Sequence, residues 1–111
     1  MRVIIVHNKH HVQAALEAAH TLRTPVILQS APDAIFYAGG MYLLGMFRQT
    51  KENFPDVKAI FILDCADAGG EAIEAMRSGH THIRSSAPPE IRQKLASIAL
   101  NHGVKLMEEP Y

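Results

Sequence analysis

Ala59-Ile60-Phe61-Ile62-Leu63-Asp64-Cys65-Ala66-Asp67-Ala68-Gly69-Gly70 is the stretch on which the fold turns. Its apolar half shows no period-two alternation, so it reads as a parallel strand buried on both faces. It ends in an acid, a thiol, a second acid and two glycines, where the strand would leave the sheet. In parallel α/β folds that edge is where ligands bind.

The same pattern extends outward in both directions. Val3-Ile4-Ile5-Val6 is a β-branched strand ended by His7-Asn8-Lys9. Val12, Ala15, Leu16, Ala19 and Leu22 then recur at helical spacing. Thr24-Pro25 stops that helix, and Val26-Ile27-Leu28 reads as a second strand. Ser30, Pro32 and Asp33 mark a helix start that Gly39-Gly40 interrupts, which predicts a short helical turn and then a longer helix from Met41 to about Asn53. Beyond the central strand, Asp67 is placed to cap a helix through Ala72, Ile73, Ala75 and Met76 to Gly79. Thr81-His82-Ile83-Arg84 is a weaker strand, Pro88-Pro89-Glu90 opens a last helix closed by His102-Gly103, and Val104-Lys105-Leu106 is a candidate fifth strand. Strands alternating with helices over short connections predict an α/β fold, a parallel sheet of four to five strands in (βα)4 units with right-handed crossovers.

A chain of 111 residues without a linker or low-complexity tract is one domain, and at this size roughly 65% of the unfolded surface is buried. Eleven basic residues balance eleven acidic ones, so no long-range field steers nucleic acid or an anionic membrane surface. One cysteine cannot form an intrachain disulfide, and the Val3–Val6 run is too short for a signal core or a membrane span. The expectation is a cytoplasmic protein with neither nucleic acid nor membrane as partner.

A parallel sheet gathers its strand C-termini along one edge. Asn8, Gln29, Ser30, Asp67, Gly69, Gly70, Arg84, Ser85 and Ser86 are therefore the candidate ligand-binding residues, with a small anionic metabolite as the ligand class. Asp64 serves either as a general acid/base or as a cap for the turn that follows it. Cys65 is either a metal ligand or thiolate, or a small core hydrophobe. The Asp67–Gly70 turn can present amides to an anion, though it lacks a dinucleotide fingerprint and a P-loop lysine. Arg84 with Ser85 and Ser86 suits a phosphate or carboxylate. His7, His10 and His11 offer imidazoles for zinc beside Cys65 or Asp64; neighbours on a helix point about 100° apart, which keeps His10 and His11 from facing one ion together.

Several segments, taken in order, resemble the N-terminal half of class II, metal-dependent fructose-bisphosphate or tagatose-bisphosphate aldolases. They are Val12-Gln13-Ala14-Ala15-Leu16-Glu17-Ala18-Ala19, Thr24-Pro25-Val26-Ile27-Leu28-Gln29, Tyr37-Ala38-Gly39-Gly40, Ile62-Leu63-Asp64, and Ala72-Ile73-Glu74-Ala75-Met76-Arg77-Ser78-Gly79. The resemblance implies a (β/α)8 barrel, of which this chain carries residues for about the first half. In that family the third strand ends His-Leu-Asp-His-Gly, with a proton-transferring aspartate and a zinc-binding second histidine. By that resemblance Asp64 is the catalytic group, Ile62 replaces the first histidine, and Cys65 replaces the ligand. Ser86-Ala87-Pro88 stands in place of the family's Asp-Gly-Ser, Ala31 in place of its serine, and Glu109 matches a metal-binding glutamate. The family's remaining histidine ligand would lie beyond Tyr111; with His7 taken from the residues themselves, the candidate metal set is Cys65, Glu109 and His7, with zinc as the ion.

A catalytic zinc needs three protein ligands and an open position, and the changed set predicts a domain without class II aldolase activity in the monomer. An open half barrel would expose a large apolar inner face. Two solutions exist: a homodimer or higher homo-oligomer, or a flavodoxin-like or Rossmann-like three-layer sandwich with the first and third strands central. The sandwich is the favoured expectation. The alternative function is a metal-dependent aldolase-type lyase whose site, built from Asp64, Cys65, Glu109 and a histidine, is completed in an oligomer.

Overall fold

The computed structural model describes residues 3–107. Five strands, β1 (Val3–Val6), β2 (Val26–Ser30), β3 (Ala59–Asp64), β4 (His82–Arg84) and β5 (Lys105–Met107), alternate with four helices, α1 (Lys9–Leu22), α2 (Gly40–Lys51), α3 (Gly69–Arg77) and α4 (Pro89–His102). A single 3-10 turn, Ala34–Phe36, precedes α2. The expected open, all-parallel α/β sheet is present, and it does not close into a barrel.

The strand order is β1-β2-β3-β4-β5. It lacks the reversal of the flavodoxin-like order, so there is no switch point and β1 lies at a sheet edge instead of the centre. The expectation of a central first strand is corrected by this order, and the exposure of Ile4 is its consequence. β3 is central, as its unbroken apolar run requires. Each helix also packs on the next, α1 on α2, α2 on α3 and α3 on α4.

Pleating divides the sheet residues between two faces. Leu28 pairs with Phe61 and Leu63 with Ile83, and these four side chains share one hydrophobic core with Leu16 of α1, Phe47 of α2, Met76 of α3 and Leu95 of α4. The Phe47 and Phe61 rings stack there, 5.2 Å apart at 17°. On the opposite face Gln29 pairs with Ile62, and Asp64 with Arg84. That second face carries buried Gln29, Asp64 and Arg84.

Local chemistry explains the helix boundaries. α1 starts at Lys9, a turn before its first periodic apolar residue, because Asn8 Oδ1 accepts from the His11 N–H at 3.0 Å and caps the helix. α2 begins at Gly40 because the chain there runs against β3: a Cβ at Gly40 would lie 3.3 Å from Leu63 Cδ2 and 3.4 Å from His80 Nε2. The expected Asp67 cap is not made. The N-cap position of α3 is Ala68, without a side-chain bond, and Asp67 is exposed. α4 opens on Pro89 and closes on left-handed Gly103, as its sequence requires.

Candidate functional site

Three polar side chains meet over the middle of the sheet at its C-terminal edge. Gln29 on β2 and Arg84 on β4 flank β3, and their side chains join across it, with Arg84 Nε donating to Gln29 Oε1 at 2.9 Å. Gln29 Nε2 donates to Asp64 Oδ2 at 3.3 Å. Gln29, Asp64 and Arg84 are all buried, in keeping with the rule that polar groups leave water only when hydrogen-bonded.

The end of β3 is held just as closely. Asp64 Oδ1 accepts from the Ala66 N–H at 2.8 Å, and the Asp64 N–H donates to Ser30 Oγ at 2.9 Å. The Cys65 N–H donates to the Arg84 carbonyl at 2.8 Å, extending the β3–β4 ladder by one residue. Ala66 then turns the chain in the left-handed region, at φ 49°, a conformation unfavourable for any residue with a Cβ. Its carbonyl accepts from the Ser86 N–H at 2.8 Å and from Ser85 Oγ at 3.4 Å. Ser85 Oγ also accepts from the Ala87 N–H at 3.1 Å. These bonds tie the loop after β3 to the loop after β4.

Gln29, Ser30, Asp64, Arg84, Ser85 and Ser86 thus lie together at the ends of β2, β3 and β4. Asn8 is engaged in capping α1, while Asp67 and Gly70 are exposed beyond the turn and Gly69 is half-buried. The proposed metal set is not assembled among the described residues. Cys65 is fully buried on the helix-facing side, in the same core as Phe61 and Leu63. Burial, followed by the nearby Asp64 and Glu71 charges, pushes its thiol up to about 12, so the thiol stays protonated at neutral pH. His7 is exposed at the start of α1, where its ring meets that of His11 edge-on at 5.5 Å. Glu109 lies outside the described residues. No three His, Cys, Asp or Glu side chains among the described residues could hold one ion, and the inward Cys65 thiol does not fit a zinc ligand. Two further features went unread in the sequence: the left-handed Ala66, which no glycine marks, and the exposed aromatics Tyr37 and Tyr42.

Comparison with known proteins covers the segment that builds this site. The sequence pattern of the family described as "Fructose-bisphosphate aldolase class-II" matches residues 1–86, so it takes in β1 to β4 and stops short of Glu109. The plasmid fructose-bisphosphate aldolase of Cupriavidus necator is 33% identical over 78 residues, 70% of this chain and 23% of that protein. The fructose-bisphosphate aldolase of Nostoc sp. is 30% identical, and that of Xanthobacter flavus 28%, each over 78 residues that make up 70% of this chain and 22% of the relative. The chain spans less than a quarter of the length of these relatives. With most of its length matched, it belongs to the class II fructose-bisphosphate aldolase family.

Proposed function

We propose that this chain is a non-cleaving member of its family, a domain that binds a small anionic molecule at the C-terminal ends of its strands. The observation that carries the first half of this reading is the opposite placement of two adjacent residues. Asp64 faces the polar network, while Cys65, at the position of the family's metal-binding histidine, is part of the core. A proton-transferring carboxylate must reach the substrate, yet Asp64 accepts from the Ala66 amide through one oxygen and from Gln29 through the other. The second half is supported by the exposed Ser86 hydroxyl at that edge, since a hydroxyl donor suits phosphate or carboxylate.

Two measurements on the full chain test both halves. Fructose bisphosphate supplied with zinc should not be cleaved in an enzyme-coupled assay, and calorimetry with the same compound should show saturable binding that Ser86→Glu weakens. Zinc-dependent cleavage that disappears in Asp64→Asn would instead favour a lyase site completed between copies from Asp64, Cys65, Glu109 and a histidine. Failure to bind, with no cleavage, removes the anion-binding half.

A further inference from the structure

Between β2 and α2 the chain holds large side chains out in water. Tyr37 is 70% exposed and Tyr42 66%, far more than the packing of a short connecting segment requires. They flank a cleft of about 430 Å³ between the start of α1 and the first turns of α2. Its floor is Val6 and Leu43, both buried core residues, and Met46 forms a wall one helical turn beyond Tyr42. Among the described residues Lys9 is its one formally charged lining residue, beside the polar His7 and Asn8. The volume falls within the range of small-molecule sites, which combine apolar walls with a few polar groups.

We propose that this cleft binds a small aromatic anion, a planar ring carrying a phosphate, sulfonate or carboxylate. The two phenol rings and the Met46 thioether offer faces and edges on which a flat ring packs well. Lys9 supplies the complementary charge, and among the described residues no carboxylate lines the cleft to oppose it. The contrast with the adjoining cavity is direct: on the α3 side of Tyr42 a space of about 330 Å³ is lined by Glu71 and Glu74 and would repel the same ligand. The cleft opens at the C-terminal end of β1, where His7 and Asn8 line it, but on the helix-facing side, while Gln29 and Asp64 lie on the other face of the sheet. Shift mapping therefore distinguishes a ligand held here from one held by the Gln29, Asp64 and Arg84 cluster.

1-Naphthyl phosphate titrated into the isotope-labelled full chain, followed by amide chemical shifts, provides the test. The expected result is saturable shifts confined to residues 6–9 and 37–46. Naphthol and inorganic phosphate should each bind roughly tenfold more weakly, the ratio set by losing about 1.4 kcal/mol of ring or charge contact. Tyr42→Ala and Lys9→Gln should each weaken binding by a similar factor. Both side chains are exposed, so an unchanged urea midpoint verifies that these variants stay folded. Shifts centred on Gln29, Asp64 and Arg84 to Ser86 overturn the proposal, as does naphthol binding as tightly as its phosphate, Tyr42→Ala binding like the parent, or absence of saturation.

Discussion

Acid should unfold this protein through one buried histidine. His80 is 2% exposed, in the segment between α3 and β4, and its Nε2 lies 2.8 Å from the Gly40 carbonyl. A carbonyl only accepts, so Nε2 carries the proton and Nδ1 is bare. Nδ1 is buried without a hydrogen-bond partner. Around the ring are Phe61, 6.3 Å away between centroids, and the Arg48 guanidinium, whose Nη2 donates to the Gly79 carbonyl at 3.3 Å. A second proton would be placed on Nδ1 in a dry site near a cation. Burial, reinforced by Arg48 and opposed by the Gly40 bond, holds the His80 pKa below its usual value of 6.5. The unfolded chain therefore takes up the proton first as pH falls, and stability drops below about pH 6.5.

The limiting slope is about 1.4 kcal/mol per pH unit, reached between the depressed folded pKa and the unfolded one. Urea unfolding at pH 7.5, 6.5 and 5.5 reads it directly. The loss integrates to at most about 1 kcal/mol between pH 6.5 and 5.5, so with m of about 1–3 kcal/mol/M the midpoint should fall by at most roughly 0.3–1.0 M over the last unit. His80→Gln, which keeps an amide donor for Gly40 and cannot titrate, should flatten this dependence. His82 is also held below its usual value, by partial burial and then Lys105, so His82→Gln is measured alongside. Asp56, lowered chiefly by its 2.7 Å bond to His20, titrates below its usual 3.8 and stays outside the window. An unchanged pH slope in His80→Gln would refute the assignment.

Three further outcomes follow from the strand ends. Ala66→Gly should stabilise the domain by about 1 kcal/mol, the left-handed penalty less the extra freedom of glycine when unfolded, and a urea midpoint that does not rise contradicts the backbone account. Gln29→Leu leaves buried Arg84 Nε without its acceptor and Asp64 without one donor, and should destabilise by about 2–3 kcal/mol; a loss under about 0.5 kcal/mol in chemical denaturation would mean the bridge contributes little. Cys65 should react with a disulfide reagent at pH 8 only on unfolding, since the thiol is buried and stays protonated; rapid modification of the native protein would place it at the surface.

The extent to which the sequence was legible follows from where its periodicities were strong. Val12, Leu16 and Ala19 repeat at helical spacing and all enter the core, and the Gly39-Gly40 break falls where α2 starts. Strand order was not legible, because hydrophobic runs show that a strand is buried without naming its neighbours. Val3–Val6 read as a central strand and proved to be an edge. The polar pairing on the second face was equally hidden: Gln29 and Arg84, fifty-five positions apart, join across β3 with one hydrogen bond.

The same limit governed the site itself. Asp64 and Cys65 are adjacent in sequence, and adjacency makes them look like one chemical cluster. A strand, however, sends successive side chains to opposite faces. The Cys65 amide continues the ladder by donating to the Arg84 carbonyl, so the alternation persists through residue 65. Phe61, Leu63 and Cys65 therefore go to the helices, and Ile62 and Asp64 to the other face. An alternating strand would have displayed this parity in its polar residues. β3 hides it, because Ala59 to Leu63 is apolar at every position. Only where the run ends does the pattern matter, and there the left-handed Ala66 turns the backbone immediately after the thiol. Placing a metal ligand at position 65 would require this turn to begin one residue earlier, at the loss of the 2.8 Å bond from Cys65 to Arg84. In this chain the ladder persists, so position 65 packs with the core while Asp64 holds the turn.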